Sequence, residues 1–246
     1  TPGSVFKTVT AAAALETGKV SEEELFECDG SYGKYGLSCW KKEGHGRLTL
    51  SEAYAQSCNV VFAAVAERLT GEELEAAADR LGVNRTVGWN VHAFLDGRPL
   101  RQWEDEEAGT VFAEVADSSD GGTRAQTGIG QRDVLLTPLA AANLVVTLLH
   151  DGQVKAPRVV REIRYADGSR MALLPEQRSA SPAGSVSRAA ARALSGWMAD
   201  VVRTGTGHKL RQARWDLAGK SGTAQVITAG GEREHQWVIG YGPVGK

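Results

Sequence analysis

Apolar and polar positions divide this chain into helices early and strands late. After the helix-breaking pair Pro2-Gly3, the Ala-rich run from Thr8 to Glu16 predicts a helix that stops at Gly18. Residues 28–46, rich in Gly, Ser and Tyr, read as a loop. Thr49 with Glu52, and Thr70 with Glu73, each have the form of a capping box, with Thr at the N-cap and Glu three residues on. Between them, Ala53, Tyr54, Val60, Val61, Ala64 and Leu69 predict one buried helix or two consecutive ones. The second box opens a helix that ends at Leu81-Gly82. Residues 84–127 mix Trp89, Trp103, turn residues and an acidic cluster at 104–107. They read as an irregular surface segment with short helices, the acidic cluster being a solvated face.

Regular patterning resumes at Thr137-Pro138, an N-cap followed by Pro at the first helical position. The helix it opens, Leu139 to Leu149, is apolar on most sides and is expected to be buried. Val159–Tyr165 and Met171–Leu174 flank Asp167-Gly168, a hairpin signal, and Ser187 to Val202 reads as an amphipathic helix. Leu217–Ile227 and Gln236–Tyr241 read as an antiparallel pair joined through residues 229–231. With helices in bulk before strands and no βαβ alternation, the chain is expected to be a segregated α+β fold.

Composition adds exclusions. The 246 residues suffice for one large domain or two small ones, and 42% hydrophobic with 24% charged residues is ordinary for a globular chain. A formal net charge of −2 without Lys/Arg runs offers nothing for nucleic acid or a membrane surface, and no stretch is long and apolar enough to span a bilayer. The abrupt start at a helix and the stop at residues 240–246 suggest a piece of a longer protein. Three cysteines, Cys28, Cys39 and Cys58, have no paired spacing, which argues against a disulfide scaffold or a zinc site. Cys28 and Cys39 bracket a Gly-rich loop, so they either pair in an oxidising compartment or stay free. The five histidines are scattered and His45 reads as a structural loop residue, so neither metal nor cofactor is expected.

Candidate chemistry starts at Ser4. A hydroxyl at a helix N-terminus, where free N–H groups favour negative charge, shares a helix face with Lys7 three residues on. Such a pair serves as nucleophile and base when the amine is neutral, or is simply an N-cap beside a solvated lysine. Ser57-Cys58-Asn59 could be a polar interruption of a helix, and Lys220-Ser221-Gly222-Thr223 an ordinary strand. Gly219-Lys220-Ser221 also suggests the end of a phosphate-binding loop, but position 214, where that loop needs Gly, is Arg.

In this order the three elements follow a known signature, S-x-x-K, S-D-N and K-T-G, and the chain resembles the transpeptidase domain of penicillin-binding proteins, within the serine β-lactamase/transpeptidase superfamily. Gly44-His45-Gly46, Gly128 to Gln131 with Thr137-Pro138-Leu139, Val202 to Gly207 and Trp237 to Tyr241 extend the likeness, most of all to class B peptidoglycan D,D-transpeptidases. Residues 84–127 are its weakest part. Cys58 and Ser221 depart from the commonest pattern without removing a functional group.

The resemblance implies a helical subdomain plus an antiparallel sheet flanked by helices, and a single domain over residues 1–246 truncated at both ends. It implies a serine D,D-transpeptidase that crosslinks peptidoglycan stem peptides ending in D-Ala-D-Ala through an acyl-enzyme on Ser4, and is acylated by β-lactams. Lys7 would be the general base, Ser57 the proton relay to the leaving amine, and Asn59 the holder of substrate amide and of Lys7. Lys220 and Ser221 would take the terminal carboxylate, and Gly222 would leave room for substrate backbone. The N–H groups of Ser4 and Thr223 would form the oxyanion hole. The intact protein would sit at the extracytoplasmic face of a bacterial membrane, beside a membrane glycosyltransferase. A β-lactamase, or a β-lactam sensor of the same fold, is the alternative.

Overall fold

The computed structural model describes residues 1–88, 94–95, 98–99, 105–228 and 231–245. A 3₁₀ turn, Gly3–Phe6, leads without interruption into α1, Lys7–Thr17, which Gly18 caps in the left-handed conformation. Residues from Lys7 to Ala14 are all buried, so α1 is the hub of the molecule rather than an amphipathic surface helix. Its four consecutive alanines let neighbours approach closely. Its two buried threonines are satisfied: Thr8 Oγ1 bonds the Tyr54 hydroxyl at 2.9 Å, and Thr10 Oγ1 donates to the Gly128 carbonyl at 2.8 Å.

The segment expected to be loop is instead a strand-bearing excursion. It comprises β1 (Phe26–Cys28), β2 (Ser31–Tyr32), a 3₁₀ turn, β3 (Leu37–Ser38) and β4 (Gly46–Leu48), with β1 paired to β4 and β2 to β3, both antiparallel. Strands this short carry too little alternation to be read from sequence. Glu67, on the helix behind, accepts from Tyr32, Lys34 and Tyr35 and ties the excursion down.

The apolar stretch after Thr49 forms two helices, α2 (Leu50–Ala55) and α3 (Asn59–Arg68), and α4 (Gly71–Arg80) follows. Both capping boxes are formed, Thr49 with Glu52 and Thr70 with Glu73. The break between α2 and α3 falls at Ser57, whose φ of 53° is left-handed, an uncommon and costly conformation for a residue with a Cβ. Short β5 (Phe94–Leu95) and β6 (Arg98–Pro99) pair within residues 84–127, which end in a regular helix, α5 (Gly121–Gly128), capped by Asp120. Trp89 and Trp103 lie outside the described residues.

Helix α6, Pro138–Leu149, starts on the Thr137 cap as expected, but its burial is one-sided: Val146 is 36% and Leu149 49% exposed. β7 (Lys155–Ala156), β8 (Glu162–Arg164), β9 (Arg170–Leu173) and β10 (Gln177–Arg178) form two further ribbons, with β8 and β9 as the expected hairpin. The amphipathic α7 spans Arg188–Arg203 on a Ser187 cap. Last come β11 (Ala218–Thr228) and β12 (Gly231–Tyr241), antiparallel, with Ser221 opposite Val238. β12 begins at Gly231 rather than Gln236, because its first half is charged and lacks the apolar alternation that marks a strand.

Helix α1 packs against α2, α3, α4 and α7, while α7 also covers β11 and α6 covers β12. One continuous core joins these elements. The 3₁₀ turn carrying Ser4 is thereby clamped between the helical part and β11.

Candidate active site

Ser4, Ser57, Asn59, Ser221, Gly222 and Thr223 line one cleft of about 550 Å³. Backbone contact, not side chains, sets the turn carrying Ser4 against β11. Gly3 N donates to the Gly130 carbonyl at 2.9 Å. Gly3 has φ of 57°, and a Cβ there would lie 2.3 Å from the Thr223 carbonyl oxygen and 3.0 Å from its nitrogen. From the strand side, a Cβ on Gly222 would lie 2.4 Å from the Pro2 carbonyl oxygen and 2.9 Å from Val5 N. Gly222 therefore makes room for the chain's own turn, and it also lines the cleft.

Lys7 and Lys220 are both fully buried. Lys7 Nζ donates to the Ser57 carbonyl at 2.8 Å and to Asn59 Oδ1 at 2.7 Å, with Ser57 Oγ farther off at 3.4 Å. Lys220 Nζ donates to Ser57 Oγ at 2.8 Å and to the Ser221 carbonyl at 2.9 Å. Each amine lies over an aromatic face, Lys7 on Phe62 at 5.6 Å and Lys220 on Tyr54 at 5.7 Å. That contact favours the charge, but burial outweighs it. Burial brings Lys7 down to about 7, and burial together with the nearby Lys7 holds Lys220 well below the ordinary lysine value. The two amines meet at Ser57, which its left-handed backbone turns between them.

Lys220 is not part of the cleft lining; its amine is behind Ser57, leaving the Ser221 and Thr223 side chains on the surface side. Asn59 has its Oδ1 on Lys7 and one Nδ2 hydrogen on the Ser38 carbonyl at 3.1 Å. Among the other cleft residues, Gln131, Thr204, Gly205 and Thr206 belong to segments that extend the family likeness, whereas Trp40, 55% exposed, Gln56 and His208 had no local sequence signal. Thr206 Oγ1 lies 3.5 Å from Ser221 Oγ, and Gln131 Nε2 donates to the Thr223 carbonyl at 3.3 Å.

Beside Ser57 all three cysteines are free and buried, so of the two alternatives for Cys28 and Cys39 the structure has the unpaired one. Spacing along the chain argued against a ligand cluster, yet β1, the loop after β3 and the break before α3 gather Cys28, Cys39, His45 and Cys58 so that their ligand atoms lie within 4.8 Å of one another. The bond with Cys58 holds the Cys39 thiol below the ordinary cysteine value, while that bond and burial push Cys58 up.

The whole of residues 1–246 matches the protein-family model described as Penicillin binding protein transpeptidase domain. Stage V sporulation protein D of Bacillus subtilis is 28% identical over 249 residues, covering 98% of this chain and 35% of that protein. Peptidoglycan D,D-transpeptidase PbpA of Mycolicibacterium smegmatis is 28% identical over 255 residues, covering 98% and 47%. This chain thus spans between a third and a half of the length of these relatives. Among solved structures, penicillin-binding protein A of M. tuberculosis, as a ceftriaxone acyl-enzyme complex, is 26% identical with a TM-score of 0.78, over 98% of this chain and 52% of that one. The D,D-transpeptidase domain of a peptidoglycan glycosyltransferase from Eggerthella lenta is 27% identical with the same TM-score of 0.78, over 98% and 57%.

Proposed function

This chain belongs to the family of penicillin binding protein transpeptidase domains, and from that premise we propose that it is a serine D,D-transpeptidase acting on peptidoglycan stem peptides that end in D-Ala-D-Ala. Residues 1–246 form its single transpeptidase domain. The observation that carries the reading is Lys7: a fully buried amine whose two short partners, the Ser57 carbonyl and Asn59 Oδ1, are both uncharged. A neutral amine has two N–H groups and one lone pair. The two short bonds take the N–H groups, and the lone pair remains for the Ser4 proton.

Ser4 Oγ attacks the carbonyl carbon between the two D-alanines as Lys7 Nζ accepts its proton. The oxyanion that forms takes hydrogen bonds from the N–H groups of Ser4 and Thr223, and the contact of Gly3 with the Thr223 backbone supports that pairing. As the intermediate collapses, the C–N bond breaks and terminal D-Ala leaves, its nitrogen protonated through Ser57 Oγ, which Lys220 orients. An amine of a second stem peptide then attacks the ester, forms the crosslink and frees Ser4. The hydroxyls of Ser221, Thr223 and Thr206 receive the terminal carboxylate, with Lys220 supplying a proton or positive charge from behind. A β-lactam acylates Ser4 by the same attack, but its leaving nitrogen stays tethered.

Against the β-lactamase alternative stands the cleft lining, which among the described residues contains no carboxylate to activate a hydrolytic water. A sensor would acylate once and never turn over a stem peptide, so crosslinking of an added amine acceptor separates that reading. The similar structure titled for coordination of polymerization and crosslinking by a peptidoglycan synthase complex, 25% identical with TM-score 0.77 over 99% of this chain and 40% of that one, supports a glycan-polymerising partner, which in this reading is a membrane glycosyltransferase. No helix among the described residues is long and apolar enough to cross a membrane.

The sign of the Lys7 shift sets a pH test. The base form is the deprotonated one, so acylation rises with pH through the Lys7 pKa of about 7. The rate constant for acylation by penicillin should fall about tenfold per pH unit below that point and level off above it. A profile flat between about pH 5 and about pH 9 would remove Lys7 as the base.

A further inference from the structure

Three thiols and an imidazole converge next to the cleft, where the proposed acyl transfer has no use for them. Cys28, Cys39 and Cys58 are 1%, 1% and 0% exposed. His45 Nδ1 lies 3.6 Å from Cys28 Sγ and 3.5 Å from Cys39 Sγ, and Cys39 Sγ lies 3.9 Å from Cys58 Sγ. Around a tetrahedral zinc, with Zn–S of about 2.3 Å and Zn–N of about 2.1 Å, sulfur–sulfur pairs fall about 3.8 Å apart and sulfur–nitrogen pairs about 3.6 Å. The three distances follow that pattern pair by pair. The imidazole is also in the right attitude: Nδ1 faces the sulfurs, Nε2 is buried with no partner among the described residues, and the ring is held edge-on by Trp40 at 5.2 Å between centroids.

We propose that Cys28, Cys39, His45 and Cys58 form a structural zinc site of the Cys₃His type. Soft thiolates with one imidazole select zinc over the hard cations, and four protein ligands leave no open position for a substrate, so the metal is structural rather than catalytic. Binding converts the thiols to thiolates and releases their protons. The ligands come from separated segments, on β1, after β3, before β4 and at the α2–α3 break, so one ion crosslinks the excursion to the helical core. Cys58 stands between Ser57 and Asn59, and His45 holds Trp40 on the cleft rim. The ion would thus fix both flanks of the cleft from behind, and it would keep Cys39 and Cys58 from oxidising to a disulfide.

The test uses the intact protein, reduced and stripped of metal, titrated with Co²⁺ and then Zn²⁺. The expected result is one Co²⁺ per chain, with the sulfur-to-cobalt charge-transfer bands and strong visible bands of a tetrahedral thiolate site. Equimolar Zn²⁺ should remove those bands, shield all three thiols from a thiol reagent, and raise Tm by roughly 5 to 10 °C at saturation. His45→Ala, which leaves the three thiols in place, should weaken Co²⁺ binding at least about tenfold. These readouts involve no acylation, so they stand or fall apart from the transpeptidase reading. A fully reduced, folded protein that develops no charge-transfer band and whose thiols react equally fast with and without Zn²⁺ would overturn the proposal.

Discussion

Replacing Lys7 with Met should slow β-lactam acylation of Ser4 by about 10³-fold or more while the domain stays folded. Met has nearly the length of Lys and no polar group, and the pocket it would occupy is fully buried. The loss of rate follows from removing the amine assigned as the general base. Stability has two opposed terms. The Ser57 carbonyl and Asn59 Oδ1 each lose a donor, at about 1–3 kcal/mol apiece. Against that, the protein no longer buries an amine whose downward shift to about 7 shows how poorly the pocket solvates its charge. The net change should be within about 2 kcal/mol. Time-resolved mass spectrometry of the adduct, set beside thermal unfolding, checks both parts. Near-native acylation in a folded Lys7→Met protein would assign the base elsewhere.

Gly222→Ala carries the second large effect, and it acts on geometry rather than chemistry. Its added methyl would meet two backbone atoms, Pro2 O at 2.4 Å and Val5 N at 2.9 Å, and backbone cannot rotate away as a long side chain can. The turn carrying Ser4 must shift off β11, which costs about 1–3 kcal/mol of overpacking. A displacement near 1 Å of an attacking atom lowers the rate by about 10²-fold. Gly196→Ala on α7 is the control, since a Cβ there meets nothing within 4 Å. It should leave acylation unchanged and stabilise the helix by about 0.5–1 kcal/mol. If Gly222→Ala acylates at the native rate, the turn is not positioned by that contact.

What could be read from the sequence was what local chemistry writes there. The caps at Thr49, Thr70 and Thr137 are formed as expected, because a cap is satisfied within one turn of itself. Ser4, Lys7, Ser57, Asn59 and Lys220 were found by their order in a motif, and they do converge. What could not be read depends on which surfaces meet. Trp40 and His208 join the cleft only because the excursion and the segment after α7 fold to its rim. The spacing of Cys28, Cys39, His45 and Cys58 does not suggest a cluster, since four separate segments bring them together. Helix α6 shows the converse error: an apolar pattern predicted burial all round, but Val146 and Leu149 remain exposed.

The central claim is that Ser4 is an acylated nucleophile, and the most direct measurement is the site of penicillin attachment. The intact protein is incubated with penicillin, its mass is followed, and the modified peptide is sequenced by tandem mass spectrometry. The account predicts a long-lived adduct carrying the whole penicillin mass on the peptide that contains Ser4, and none in a folded Ser4→Ala variant. An adduct that survives Ser4→Ala, or rapid return of the native protein to its free mass with hydrolysed antibiotic, would contradict it.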